Sequence, residues 1–137
     1  MIDTESADRL AIGELLSRYA WALADSDWTA WKACFTSDAH ADYTTAGGIA
    51  GTPEEAAAWL EPTLAIFDVS ISQNGNVVVE FTGDDTADVR SMYKMVMRIP
   101  GDTPMFMEAC GYYRDKVVRT TSGWLLANRF EHLLYIR

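Results

Sequence analysis

The apolar residues of this chain change their repeat near Val69, and that change constrains the fold more than any other feature of the sequence. Before it, Ile12, Leu15, Leu16, Tyr19, Ala20 and Leu23 recur at helical spacing and make one apolar stripe, with Glu14, Ser17, Arg18 and Asp25 on the other side. This predicts a helix from about Ser6 to Asp25. Asp27 is placed to cap a second, short helix on which Trp28, Trp31 and Phe35 share a face. Asp38 to Thr45 reads as a short strand carrying Tyr43, and Gly47-Gly48 and Gly51 punctuate a turn. Thr52-Pro53-Glu54-Glu55 is a helix start with a capping box and proline at the first helical position. That third helix should run to about Phe67, bending near Pro62.

From Val69 the period is two. Val77 to Phe81 reads as a strand, Gly83-Asp84-Asp85 as a turn and Thr86 to Ile99 as a long strand. On the long strand Ala87, Val89, Ser91, Tyr93, Met95 and Met97 should face a core, and the alternate residues water or a partner. Met105, Met107, Ala109, Gly111, Tyr113 and Val117 make the core face of the next strand, and Thr121-Ser122-Gly123 turns it back. In the last strand Trp124, Leu126, Asn128, Phe130, His132, Leu134 and Ile136 are expected to share the inner face. Helices first and antiparallel strands afterwards signal an α+β fold, with helices packed on one face of a curved sheet. At 137 residues there is room for one domain, spanning 1–137.

Composition narrows the function. Twenty acidic against 11 basic side chains give a net charge of −9, which disfavours nucleic-acid and acidic-membrane partners. No apolar run is long enough for a transmembrane helix, and the acidic start Met1-Ile2-Asp3-Thr4-Glu5 does not resemble a secretion signal, so the expected compartment is the cytoplasm. Cys34 and Cys110 do not make a disulfide framework. Five Trp, six Tyr, five Phe and six Met exceed what a minimal core needs. They fit either a dense core with an oligomer interface or an aromatic-lined pocket for a small apolar molecule. There is no metal-ligand spacing, no phosphate-binding glycine motif and no nucleophile elbow.

Arg18-Tyr19-Ala20, Asp27-Trp28 with Trp31 and Phe35, Tyr43, Asn76 leading into Val77-Val78-Val79-Glu80, Gly83-Asp84, Gly111-x-Tyr113-x-Asp115, Arg119 and Gly123-Trp124 with Arg129 occur in an order and spacing that resemble the SnoaL-like branch of the nuclear-transport-factor-2-like superfamily. The resemblance covers essentially the whole chain. It implies a cone-shaped, curved antiparallel sheet wrapped around the N-terminal helices, with an apolar pocket at its open end. It also implies chemistry without a cofactor, on small hydrophobic molecules, and assembly as a homodimer or homotrimer through the outer sheet face. Dehydratase-type members carry a histidine four residues before the asparagine matching Asn76; here that position is Ser72. Other relatives carry acidic or histidine residues near Met95 and Met97. The aspartate many relatives place at the end of the first helix falls on Ala24, with Asp25 one step later.

The candidate catalytic residues are therefore Tyr19, Tyr43, Asp25 and His132. Each phenol is either a core tyrosine with a satisfied hydroxyl or a proton or hydrogen-bond donor to a substrate oxygen. Asp25 is either a solvated helix-end residue or a pocket-mouth base. His132 is either a structural histidine or a proton shuttle replacing the one absent at Ser72, and His40 is expected to be exposed. Trp28, Ser72, Asn76, Tyr93, Met95, Met97, Tyr113 and Asn128 are candidates to line the pocket, their alternatives being core packing or backbone satisfaction. The expected activity is a cofactor-independent lyase (dehydratase-like), isomerase or cyclase acting on an aromatic, polyketide or steroid-like compound. The rival readings are a non-catalytic binding protein, or a structural subunit like those of ring-hydroxylating oxygenases.

Overall fold

The computed structural model describes residues 3–137. The first helix, α1, is Thr4–Ala24, two residues earlier at its start than the apolar stripe implied, because Asp3 caps it by accepting the Ser6 N–H. Every residue of the apolar stripe from Ile12 to Leu23 is buried. Helix α2, Trp28–Lys32, is capped by Asp27 through the Ala30 N–H, and α3, Pro53–Leu64, has both halves of its capping box formed between Thr52 and Glu55. Pro62 is accommodated within α3.

Six strands form one sheet. β1 is Phe35–Asp42, β2 Ala50–Gly51, β3 Val69–Phe81, β4 Thr86–Ile99, β5 Met105–Thr120 and β6 Gly123–Ile136, in the spatial order β2-β1-β6-β5-β4-β3. The sheet is mixed, since β1 runs parallel to β6 while the other neighbours are antiparallel. β1 starts three residues before the expected strand because the Leu126 N–H already bonds to the Cys34 carbonyl at 2.8 Å. The α1 stripe and α3 pack against the inner face, and the closed end is fastened where the buried Asp8 takes a forked Arg119 (2.7 and 2.8 Å) and the Trp124 indole N–H (3.1 Å). No helix among the described residues is long and apolar enough to cross a membrane.

Three irregularities in the antiparallel ladders of the described residues depart from simple alternation. Asn74-Gly75 makes no hairpin turn. The Asn74 side chain bonds across to Ser91 Oγ (2.8 Å) and the Met92 carbonyl (2.9 Å), so β3 runs on. The extra residue is absorbed at a bulge where Asn76 takes a left-handed φ of 53°. In β6, Asp115 faces Arg129 and Lys116 faces Asn128, but Val117 faces Leu126. Ala127 is thus an extra residue, and it exchanges the two faces from Asn128 to Leu133; a second extra residue, Leu134, lies between Leu133 facing Gly111 and Tyr135 facing Cys110 and returns Ile136 to the inner face. The inner face is Trp124 and Leu126 before the bulge, then Arg129, Glu131 and Leu133 after it. Asn128, Phe130 and His132, expected inside, belong to the outer face.

Candidate functional site

Cross-strand pairing on β4 and β5 sets the floor of an apolar cavity. Met97 pairs with Met107, Met95 with Ala109, and Tyr93 with Gly111, all on the inner face. Tyr19 and Leu23 of α1, Leu60 and Leu64 of α3, and Leu133 and Ile136 of β6 enclose the space, whose volume is about 140 Å³. A cavity of about 150 Å³ holds one benzene-sized ring. Steroid-like ligands, among those expected, are too large for it unless the walls rearrange. Larger depressions of about 400 and 370 Å³ lie on the outer sheet face beside Arg90 and Arg114, but of the phenols and ionisable groups gathered inside the sheet only Asp115 reaches them, at the edge of the larger.

Two glycines permit close approaches that shape the cavity. Tyr43 follows β1, and its carbonyl accepts the N–H groups of Ala46 and Gly48. A Cβ at Gly48 would stand 2.6 Å from the Trp59 ring, so only glycine lets Trp59 lie against this turn and stack on Tyr43 (centroids 6.4 Å apart). A Cβ at Gly111 would collide with the His132 carbonyl and come within 2.9 Å of the Tyr93 ring and hydroxyl. Glycine there gives the Tyr93 ring its seat on the sheet, stacked on Tyr113 at 4.6 Å.

The polar groups are few and buried. The Tyr19 and Tyr43 hydroxyls are 2.6 Å apart, so one donates to the other and one proton of the pair remains to be offered elsewhere. Burial raises both phenols above their ordinary range, so they are neutral donors at physiological pH. Glu131 lies on the same wall, next to Tyr113 across the β5–β6 ladder. Burial pushes its carboxyl up to about 7; the Tyr93 hydroxyl and the Arg129 guanidinium oppose that shift only in part. It is thus poised near neutrality, as a proton-transferring group should be. The Tyr93 hydroxyl lies beside this carboxyl but completes no hydrogen bond.

Behind this wall Arg129, fully buried, makes a forked pair with Asp115 (2.8 Å twice) and lies over the rings of Tyr113 (3.6 Å) and Tyr19 (4.2 Å). Burial alone would discharge the guanidinium; the Asp115 carboxylate and the two phenols raise it well above its usual value and keep it charged. The pair orients three of the pocket tyrosines through one stack, Arg129–Tyr113–Tyr93 with Tyr19 alongside.

Of the residues expected at the site, Tyr19, Tyr43, Tyr93, Met95, Met97 and Tyr113 line the cavity. Asp25 is exposed at the C-cap of α1 beside Arg18 and Trp21, on the side of the helix away from Leu23, which lines the cavity. His132 is turned outward by the Ala127 bulge and stacks on Tyr112 at 4.7 Å; Asn128 is turned out with it. Asn76 is exposed on its bulge, Trp28 packs on Trp31, and Ser72 faces inward opposite Met95 without reaching the cavity. His40 is exposed, as expected. Glu131, Arg129 and Asp115 did not emerge as site residues from the sequence. The usable signal was Asp115, which shares the inner alternation with Tyr113 and Val117 and so required a buried cation on a neighbouring strand. Among the described residues no group of three His, Cys, Asp or Glu could hold a metal ion.

The SnoaL-like domain model matches residues 4–129, and this chain belongs to that family. Uncharacterized proteins of Mycobacterium tuberculosis and Mycobacterium bovis are 35% identical over 127 residues, 93% of this chain and 86% of theirs. Among solved structures, a candidate scytalone dehydratase from Novosphingobium aromaticivorans superposes with a TM-score of 0.88 at 22% identity, covering 100% of this chain and 91% of that one. A candidate aromatic ring hydroxylase from the same organism gives 0.81 at 25% identity, covering 100% and 95%. A hexachlorocyclohexane dehydrochlorinase from Novosphingobium barchaimii gives 0.80 at 16%, covering 96% and 89%.

Proposed function

We propose that this protein is a cofactor-independent lyase that eliminates water from a small, neutral, largely apolar ring compound by acid/base catalysis. The observation that carries the reading is the opening of one ionisable carboxyl, Glu131, and one hydrogen-bonded phenol pair, Tyr19–Tyr43, into the same apolar cavity. The Glu131 carboxylate would take a proton from the carbon next to a substrate carbonyl. The free proton of the phenol pair would hydrogen-bond to the carbonyl oxygen and hold the enolate-like charge in a dry site. The hydroxyl on the next carbon would then leave as water, receiving the proton from Glu131, so that C–H and C–O bonds break, a C=C bond forms and the carboxylate is restored. Two of the structural neighbours are named for eliminations, which supports the reaction class. The exposed Val78 and Met92 beside Arg90 and Arg114 support the expected homo-oligomer through the outer face, which light scattering would test.

The test is dehydration of 3-hydroxycyclohexanone, followed by the ultraviolet absorbance of the enone. Glu131→Gln should lower turnover by about a hundredfold or more, and Tyr19→Phe by about tenfold or more. Turnover should rise with pH through about 7 as Glu131 ionises. Unchanged turnover in Glu131→Gln would reject this mechanism. Absence of any histidine from the cavity favours a second reading, a binding protein, which binding without turnover would support.

A further inference from the structure

We infer that Tyr93 is a second hydrogen-bonding subsite, so that the ligand is a neutral single ring carrying two oxygen functions. This deepens the dehydratase reading above and rests on the same cavity. One hydrogen-bonding group of that cavity is the Tyr19–Tyr43 pair. A second is the Tyr93 hydroxyl. It is 4% exposed, lines the cavity and has no hydrogen-bond partner. Its polar neighbour, the Glu131 carboxyl, does not complete a hydrogen bond with it, and a buried donor left without a partner destabilises the fold. A phenylalanine would fill the same space between Gly111 and Tyr113 without that cost. The polar atom is therefore unexplained by packing, whereas a ligand oxygen entering the cavity would satisfy it.

Charge and size complete the class. Glu131 beside Tyr93 is the pocket's own carboxyl, and the neighbouring cation, Arg129, is bonded to Asp115 through Nε and Nη2 and does not line the cavity, although its Nη1 has no partner. A ligand carboxylate would find no free cation there and would be repelled. The volume of about 140 Å³ leaves room for one six-membered ring. With a second hydroxyl on the cavity wall, a second oxygen gains a partner that a mono-oxygenated ring cannot use.

The experiment is calorimetric binding of three probes to the full-length protein: cyclohexanone, 1,4-cyclohexanedione and benzoate. Wild type should bind the dione about five- to tenfold more tightly than cyclohexanone, the worth of one net hydrogen bond, and should not bind benzoate. Tyr93→Phe should bring the dione down to the affinity of cyclohexanone and leave cyclohexanone unchanged. Its melting temperature should not fall, since the lost hydroxyl has no partner. A crystal of the dione complex should place one oxygen within hydrogen-bond distance of Tyr93 Oη. Equal affinities for the two ketones in wild type, or a dione preference that persists in Tyr93→Phe, would overturn the subsite while leaving the role of Glu131 standing. Failure of both ketones to bind would remove the cavity as a ligand site and overturn both readings.

Discussion

Strands β4 and β6 are equally long and face the same core, yet one reads straightforwardly from its sequence and the other does not. β4 alternates without interruption from Thr86 to Ile99, and its buried residues are those its alternation implies. β6 carries an extra residue at Ala127, and from there to Leu133 the inner and outer sets exchange, until a second extra residue at Leu134 restores them. The unbroken strand supplies walls: Met95 and Met97. The broken one supplies chemistry: Arg129 and Glu131, two charged side chains delivered into the interior by a local change of backbone. A bulge next to a site re-aims side chains in this way without disturbing the pairing on either side.

Substitutions can break or sharpen this contrast. The largest effect should come from Arg129→Ala, which leaves Asp115 buried and unpaired. About 3–5 kcal/mol of stability should be lost in chemical denaturation. On the regular strand, Met95→Ala should cost about 2 kcal/mol, the low end for such truncations because its side chain already borders open space.

Glu131→Gln should act in the opposite direction, and only above acid pH. The Glu131 carboxyl has a folded pKa of about 7 against 4.5 in the unfolded chain, so the folded state holds the proton more tightly. Wild-type stability should therefore fall as pH rises from 4.5 to 7, by an amount on the order of 3 kcal/mol, and then level off. Melting curves across that window should show the glutamine variant without this part of the decline. The smallest effect should come from His132→Ala. The imidazole lies outside the cone, so stability should change by about 0.5 kcal/mol or less, and turnover not at all.

These contrasts also show what the sequence made legible. Asp27 and the Thr52–Glu55 box announced two helix starts because capping is local chemistry. Tyr19 was legible because it lies within the α1 stripe, and Tyr93, Met95 and Met97 because β4 never breaks step. Ala127 gave no sign, since a bulge built on alanine lacks the glycine or proline that usually marks one. Arg129 and Glu131 then read as a solvated face, which is the ordinary fate of charged residues on a strand. Asp25 was misplaced for a different reason. Its position on the polar side of α1, with Arg18, was legible in the stripe, and it was the resemblance that suggested the pocket mouth instead.

The left-handed Asn76 has a consequence at the rim of the molecule as well. β3 is an outermost strand, and 13 residues of straight, partly apolar backbone would offer a neighbouring chain a template for extending the sheet without limit. By throwing the spacing of N–H and C=O groups out of step midway, the kink at residue 76 shortens the stretch that any such intruder could match, and so guards the protein against fibrous growth.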